Sequence, residues 1–371
     1  MSPDASVGEF RATTAEFSNN SLSFLSNEDL IYLPGAGTQE NPHRLEDVKV
    51  WVEPPCLWIR GITSHLLIQN CTFVANSTDS AAVLIEDSQN VILQGVEVYD
   101  GYNGISLAHT NSCVVRNCNI TDATEGITSI LSTNNTLEDN DVFRNTMGVM
   151  LYSTNETVVK ANRVYGNSQW GIQVDSFSLE NRLYYNLFGW NANWRSISGQ
   201  RNAADHGTNN TWDDGIARGN NYTGYDGEPP QPIGGTARSV DRFPSGLVDS
   251  EAPDISTPED ISFAEGESGN AITWTAQDMF PAEYNVWENG KLYATGYWYS
   301  NISVNLDGLS VGVHNMTIEV LDYADNAGYS QAFVYVSVSF LQGAGADIIV
   351  ASSVLSVVAV AVVIGGFKRF R

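Results

Sequence analysis

The most regular feature of the chain is a pattern of apolar and polar positions that repeats every 22 residues over its middle part. Each repeat holds three short runs in which apolar residues occupy alternate positions, and Asn, Gly, Ser and Thr separate the runs. A period of two is typical of β-strands, whereas helices need a period of 3.6 residues. Because one run cannot bury its apolar face alone, successive repeats must stack. The pattern therefore predicts a right-handed parallel β-helix with equivalent strands paired about 4.8 Å apart.

The columns of this repeat define the predicted core. Small residues form one column: Ala82, Gly104, Gly126, Gly148 and Gly171. The inward apolar columns are Val83, Ile105, Ile127, Val149 and Ile172, then Ile85, Leu107, Ser129, Leu151 and Val174, and finally Phe73, Val98, Ile120, Val142, Val164 and Leu187. Asn140 and Asn162 share a corner column, where buried Asn side chains can satisfy turn amides.

Four cysteines fall within these repeats. Cys71 and Cys118 share a column two coils apart, roughly 10 Å, which is too far for a disulfide. We interpret the cysteines as small buried apolar residues, with the pairings Cys113–Cys118 and Cys56–Cys71 left open.

The composition changes after residue 248. "DSEAPDISTPED" is an acidic, Pro-containing linker, and short alternating strands follow it. Asn289-Gly290 is a type I′ hairpin signal. Seven strands in about 85 residues predict an immunoglobulin-like (Ig-like) sandwich without the disulfide of antibody domains.

The end of the chain predicts a membrane anchor. Residues 348–367 carry no charge and span roughly 30 Å as a helix, the thickness of a bilayer core. "KRFR" follows, so the positive-inside rule leaves the bulk of the chain outside the cell. The first ten residues lack an apolar signal region, so either the start is misassigned or trimmed, or the C-terminal span directs insertion.

The sequence thus predicts an all-β chain in seven segments. These are an N-terminal cap (1–32), the β-helix with its C-terminal cap (33–248), a linker (249–260), the Ig-like sandwich (261–340), a linker (341–347), the transmembrane helix (348–367) and a cytoplasmic tail (368–371).

The net charge of the chain limits the kinds of partner that it can bind. The formal net charge of −25 arises from an ordinary 43 acids against only 18 Lys and Arg. Without a basic patch there is no surface for nucleic acid, so we predict none as a partner. Ten N-x-S/T sequons predict glycosylation of an exported chain, the alternative being that these residues simply suit turns. They are Asn19, Asn70, Asn76, Asn119, Asn134, Asn155, Asn209, Asn221, Asn301 and Asn315.

Two motifs carry a family resemblance. "LPGAGTQENPHRL" resembles the entry turn of NosD-like β-helix (PbH1-repeat) surface proteins of archaeal type, and "NTWDDGIARGNNYTGYDG … DRFPSGL" is similar to their closing motif. "NNYTGY" replaces the usual "NYWSDY", and the acidic "DGIGD" run is missing. The resemblance implies the fold over about residues 28–248. It implies little about activity, because such repeats serve copper assembly, adhesion and sugar chemistry alike.

Stacked charges are the candidates for catalysis. Asp100, Asp122 and Arg144 share one turn column. A second, outward column contains Glu97, Asn119, Asp141 and Arg163. A glycosidase needs two carboxylates at a defined separation, and a lyase needs Ca²⁺ and a base. The alternative, which we favour, is a solvated face of alternating charge.

Aromatic residues crowd the last coils. Trp170, Trp190 and Trp194 could stack on sugars, or they could seal the open end of the core. The five histidines are not at ligand spacing, so we predict no metal and no cofactor. Asp322 and Asp325 are better explained by a turn than by calcium.

We therefore predict a single-pass cell-surface protein that binds glycans or other surface proteins, with carbohydrate favoured. Asp100, Asp122, Arg144 and the three tryptophans are its candidate ligand-binding residues. The alternatives are a polysaccharide lyase or glycoside hydrolase, and a structural envelope component.

Overall fold

The computed structural model describes residues 18–192 and 201–338. Apart from one 3-10 helix, Asn27–Tyr32, the regular structure of these residues is β-sheet. The chain folds into a right-handed parallel β-solenoid, as predicted, followed by a smaller β-sandwich.

Three parallel sheets of eight, seven and nine strands run along the solenoid, and most coils contribute one strand to each. The front sheet contains β1 (Leu22–Phe24), β4 (Leu57–Arg60), β7 (Val83–Glu86), β10 (Asn103–Ala108), β13 (Glu125–Ile130), β16 (Met147–Tyr152), β19 (Trp170–Val174) and β22 (Ala203–Asp205). The back sheet contains β2 (His43–Glu46), β5 (Leu66–Gln69), β8 (Val91–Gln94), β11 (Val114–Arg116), β14 (Thr136–Glu138), β17 (Val158–Lys160) and β20 (Arg182–Tyr184). The side sheet contains β3 (Lys49–Val52), β6 (Thr72–Ala75), β9 (Glu97–Tyr99), β12 (Asn119–Thr121), β15 (Asp141–Phe143), β18 (Arg163–Tyr165), β21 (Leu187–Gly189), β23 (Asn221–Tyr222) and β26 (Ser245–Gly246). A short antiparallel pair, β24 (Gln231–Pro232) and β25 (Val240–Asp241), lies in the closing region.

The register of the front sheet is the predicted one. Ile105, Ile127 and Val149 pair directly with one another and are buried. The glycine column has a steric cause, because a Cβ on Gly126 would lie 2.7 Å from the carbonyl oxygen of Gly148 in the next coil. Only glycine permits this approach of neighbouring backbones.

One predicted core position is wrong. Val164 pairs with Phe188, not Leu187, and Phe188 is fully buried. The amide of Asn162 bonds the side chain of Asn186, 24 residues away, so this coil has one more residue than the prediction allowed. The extra residue shifts the strand by one position and exchanges its two faces.

Short strands lie within the predicted N-terminal cap and within the predicted linker. Strand β1 (Leu22–Phe24) pairs with β4, so the solenoid starts before residue 33. At the other end, Asp254–Ile255 forms a sandwich strand inside the predicted linker. Short strands of two or three residues carry too little periodicity to be found in the sequence.

Asparagine ladders line the corners of the solenoid. In the predicted column, the side-chain oxygen of Asn162 accepts the backbone N–H of Asn140 at 3.0 Å, and the same contact repeats at Asn186 and Asn220. A second ladder joins Asn145, Asn167 and Asn191. Each side chain satisfies a buried turn amide of the preceding coil, so the corners need no water.

The four cysteines are buried thiols. Burial raises the pKa of Cys56, Cys71 and Cys113 to about 11 and that of Cys118 to about 12. They act as small apolar residues in the solenoid core.

The sandwich has a three-stranded and a five-stranded sheet. The first contains β27 (Asp254–Ile255), β29 (Ala271–Gln277) and β32 (Asn301–Asn305); the second contains β28 (Ile261–Ala264), β34 (Ala327–Ser337), β33 (Gly312–Asp322), β30 (Pro281–Glu288) and β31 (Lys291–Tyr297). Trp274 and Trp298 are buried in their shared core. Asn289 and Gly290 both have positive φ in the β30–β31 turn, which confirms the hairpin.

The sandwich packs on the side sheet of the solenoid. Phe280 and Tyr323 contact the ring of Tyr165 at centroid distances of 5.2 and 5.5 Å. The ring centroids of Trp190 and Phe280 are 4.7 Å apart. The guanidinium of Arg163 donates to the backbone carbonyl of Met279 at 2.9 Å. An apolar cluster thus joins the two domains.

Within residues 18–192 and 201–338, no helix is long and apolar enough to cross a membrane. The predicted span, 348–367, lies outside the described residues.

Candidate functional site

The predicted acidic turn column is an ion pair next to the sandwich. Arg144 forms a two-pronged contact with Asp122, and its guanidinium lies 5.2 Å from the ring centre of Tyr297 in the sandwich. Asp100, one coil further, has a raised pKa, mainly because of burial and then because of the charge of Asp122. Asp122 and Arg144 therefore neutralise each other and face the second domain.

The outward charge column contributes to the same interface. Arg163 pairs with Asp141, which is only 8% exposed, and burial outweighs Arg163 in raising the pKa of that carboxyl. This column is therefore covered by the sandwich at Arg163, which sequence periodicity could not show.

The predicted tryptophans separate in space. Trp170 is half-buried on the front sheet and stacks with the guanidinium of Arg201 at 5.3 Å. Trp190 is 7% exposed and belongs to the apolar cluster between the domains. Trp194 lies outside the described residues. Of the two tryptophans that the structure describes, Trp170 is the one that a ligand could reach.

The predicted sequons are mostly open to solvent. The side chains of six are exposed: Asn19, Asn70, Asn76, Asn134, Asn209 and Asn301. Asn119, Asn155, Asn221 and Asn315 are half-buried.

The outer face of the front sheet contains a shallow groove. Ser106, Thr128 and Met150 point away from the core, because they alternate with inward residues, yet they are only 1–3% exposed. Of the three, Met150 also lines the cleft described below.

Glu125 and Tyr152 are joined by a hydrogen bond next to Thr128. The hydroxyl of Tyr152 donates to Glu125 Oε1 at 3.1 Å, and Asn103 and Thr128 donate to Oε2 at 2.9 and 3.1 Å. Burial, followed by the charge of Glu125, raises the pKa of Tyr152 well above its usual range. Tyr152 therefore remains a neutral hydrogen-bonding group.

A cleft of about 250 Å³ opens beside Tyr152, and residues of the closing region contribute to its lining. It is lined by Met150, Tyr152, Gln173, Asp175, His206 and Thr236 among others. Asp175 Oδ1 accepts hydrogen bonds from Ser153 N, Phe177 N and Ser178 Oγ, which fix its orientation. The ring of Phe177 is 72% exposed.

Among the described residues, the lining of this cleft combines apolar and hydrogen-bonding side chains with one acid, one histidine and no Lys or Arg. Such a site can donate to and accept from hydroxyl groups, and the carboxylate of Asp175 disfavours anions. Asp175 is the single carboxylate of the lining, whereas a glycosidase needs two.

Sequence reasoning missed this cleft. Tyr152, Asp175, His206 and Thr236 come from different coils and from the closing region, so no spacing connects them. The one available signal was the longer turn after β19, where Asp175 and Phe177 interrupt the repeat.

The fold defines a class, the parallel β-solenoids with an open groove on one sheet. Residues 60–227 match the family model described as "Periplasmic copper-binding protein (NosD)", and with the solenoid this match fits a NosD-like β-helix. No curated protein matches the sequence.

Three solved structures match this chain at low similarity. An alginate lyase from Paenibacillus sp. str. FPU-7 is 12% identical, with a TM-score of 0.36, over 61% of this chain and 93% of that one. Pectate lyase Pel9A is 11% identical, with a TM-score of 0.32, over 56% and 63%. Fibronectin(III)-like modules of Clostridium thermocellum CbhA are 11% identical, with a TM-score of 0.19, over 24% and 99%. At these values the likeness indicates nothing about what the chain does.

Copper does not fit the described residues. Among them, a single group of three or more His, Cys, Asp or Glu side chains converges, and it consists of Asp249, Asp278 and Asp322. Copper prefers His, Met and Cys, and the cysteines here are dispersed in the core. We derive no copper chemistry from this chain.

Proposed function

We propose that this protein is a cell-surface β-helix protein that binds carbohydrate in the cleft beside Tyr152. The observation that carries the proposal is the cleft itself: an open concavity whose lining combines the aromatic side chain of Tyr152 and the apolar Met150 with hydrogen-bonding groups such as Gln173 and Asp175. Sugars need this combination of hydrogen-bonding groups and an aromatic face.

The charges of the cleft select among sugars. Asp175 lines it and Glu125 lies next to Tyr152, while the part of the lining that the structure describes contains no Lys or Arg. Uronic acids and sulfated sugars would add uncompensated negative charge, so neutral hexoses and amino sugars are the preferred ligands. The described lining also has no Lys or Arg that could neutralise the carboxylate of a uronic acid, which argues against a lyase.

We call the β-solenoid the head, and the rest of the chain presents it outside the cell. The first two strands of the sandwich, β27 and β28, belong to different sheets. We propose that this sandwich is an Ig-like stalk. Residues 348–367 would anchor it in the membrane, and the exposed sequons would carry glycans. A purely structural envelope role would leave the cleft without a ligand.

A glycan array probed with the full chain in detergent tests the proposal. We expect binding to neutral or amino-sugar glycans, weakened about tenfold in Tyr152→Phe, which corresponds to about 1.4 kcal/mol. Asp175→Asn should weaken amino sugars more than neutral ones. Tyr32→Phe, at a 71% exposed tyrosine far from the cleft, is the matched control and should bind normally.

Two results would contradict the proposal. Binding that is equally strong in Tyr152→Phe and in the control would place the ligand elsewhere. Release of oligosaccharides by the unmodified protein would favour the enzymatic alternative.

A further inference from the structure

Three aspartates converge where the solenoid ends and the sandwich begins. Asp249 follows the last solenoid strand, Asp278 follows β29, and Asp322 ends β33. One carboxylate oxygen from each lies within 4.8 Å of the other two. Asp322 is fully buried, while Asp249 and Asp278 are half-buried.

The local backbone holds each carboxylate in place. Asp322 Oδ1 accepts the N–H groups of Ala324 and Asn326 at 2.7 and 2.9 Å. Asp278 Oδ1 accepts Phe280 N at 2.7 Å, and Asp249 Oδ1 accepts Glu251 N at 3.1 Å. The three groups are therefore preorganised rather than free to swing apart.

One oxygen of this cluster has no partner. Asp249 Oδ2 is buried, and no described donor reaches it. None of the ion pairs found in residues 18–192 and 201–338 involves Asp249, Asp278 or Asp322. A buried carboxylate oxygen without a donor, close to two other carboxylates, is energetically unfavourable, and a bound cation would offset this cost.

We propose that Asp249, Asp278 and Asp322 bind a calcium ion at the junction of the two domains. Calcium takes oxygen ligands at 2.3–2.6 Å, so oxygens on opposite sides of its shell lie roughly 5 Å apart, and the observed cluster fits inside it. Nitrogen and sulfur ligands are missing from the cluster, which disfavours zinc and copper. The partial exposure of Asp249 and Asp278 leaves room for water ligands.

The position of the ion gives it a mechanical role. Phe280 and Tyr323 lie within two residues of the ligands Asp278 and Asp322, and both pack on Tyr165 of the solenoid. Asp249 belongs to the linker, and the backbone carbonyl of Asp249 accepts a hydrogen bond from Asn326 Nδ2 at 3.4 Å. Calcium would therefore tie the linker to the sandwich beside the apolar cluster, and it would hold the head at a fixed angle.

Calcium titration of the full chain in detergent, after removal of metal with EDTA, tests this proposal. We expect Tm to rise with CaCl2, and terbium bound at the same site to show emission sensitised by neighbouring tyrosines. Proteolysis within residues 249–260 should slow at least tenfold with calcium. The proposal does not depend on carbohydrate binding.

Variants separate a metal site from a structural acid cluster. Asp278→Asn and Asp249→Asn should raise the Tm of the metal-free protein, since repulsion falls, and should abolish the gain from calcium. Asp322 also shapes its turn, so it is not the primary test. Asp254→Asn, at an exposed aspartate nearby, is the matched control and should keep the full gain. No change of Tm at millimolar calcium, or a gain that survives in both variants, would overturn the proposal.

Discussion

Asn162→Ala is the sharpest test of how the solenoid is held together. Asn162 is 1% exposed, and its side-chain oxygen accepts both the backbone N–H and the Nδ2 of Asn140. Its own Nδ2 donates to the carbonyls of Leu137 and Lys160 at 2.9 and 3.0 Å. Alanine removes all of these contacts while preserving the backbone.

The expected loss follows from the groups left without a partner. The backbone N–H of Asn140 and one of its side-chain N–H groups become buried donors without acceptors, at about 1–3 kcal/mol each. The predicted change in the free energy of unfolding is thus about 2–6 kcal/mol, a large share of a typical stability of about 5–15 kcal/mol. Asn162→Asp should destabilise the protein more than alanine does at neutral pH, because the second carboxylate oxygen would face the carbonyls of Leu137 and Lys160.

Urea denaturation followed by tryptophan fluorescence measures this change. The matched control is Asn111→Ala, since Asn111 is exposed and its side-chain oxygen accepts only Ser112 Oγ at 2.6 Å. We expect it to alter stability by no more than about 0.5 kcal/mol. If both variants lose the same small amount, water must satisfy the corner amides, and the ladder is not the source of stability.

Three further predictions concern the core, the sandwich and the interface. Val149→Asp places an unpaired charge in the middle of the ladder and should unfold several coils together; an unchanged Tm would refute the inward register. Both ring nitrogens of His314 face acceptors, Glu288 Oε1 at 2.7 Å and the carbonyl of Ser310 at 2.8 Å. Burial opposes its charge, but these hydrogen bonds outweigh it and raise the pKa of His314, so its contribution is complete below about pH 6.5 and is lost as pH rises through the folded pKa. His314→Gln should therefore lower Tm at pH 6 and have little effect at pH 9; equal losses at both would contradict the charged state. Phe280→Ala should cost about 3–5 kcal/mol of interface and sandwich packing and enlarge the radius measured by small-angle scattering, whereas unchanged dimensions would show that the domains are held by other contacts.

The sequence by itself determined the solenoid and much of its interior. The positions of Val83, Ile105 and Ile127 could be assigned because every coil obeys the same local rule and contacts only its neighbours. The Asn140–Asn162 contact followed from the same period. The assignment failed at Phe188, where an extra turn residue changed the register.

Only the tertiary structure decided which surfaces are free. The pairs Asp122–Arg144 and Asp141–Arg163 looked like an open charged face in the sequence, yet the sandwich lies against them. The cleft beside Tyr152 and the cluster of Asp249, Asp278 and Asp322 each combine residues far apart in the chain. A repeat fixes short-range stacking through periodicity, but docking of one domain on another has no period, so its contacts appear only when the whole chain is folded.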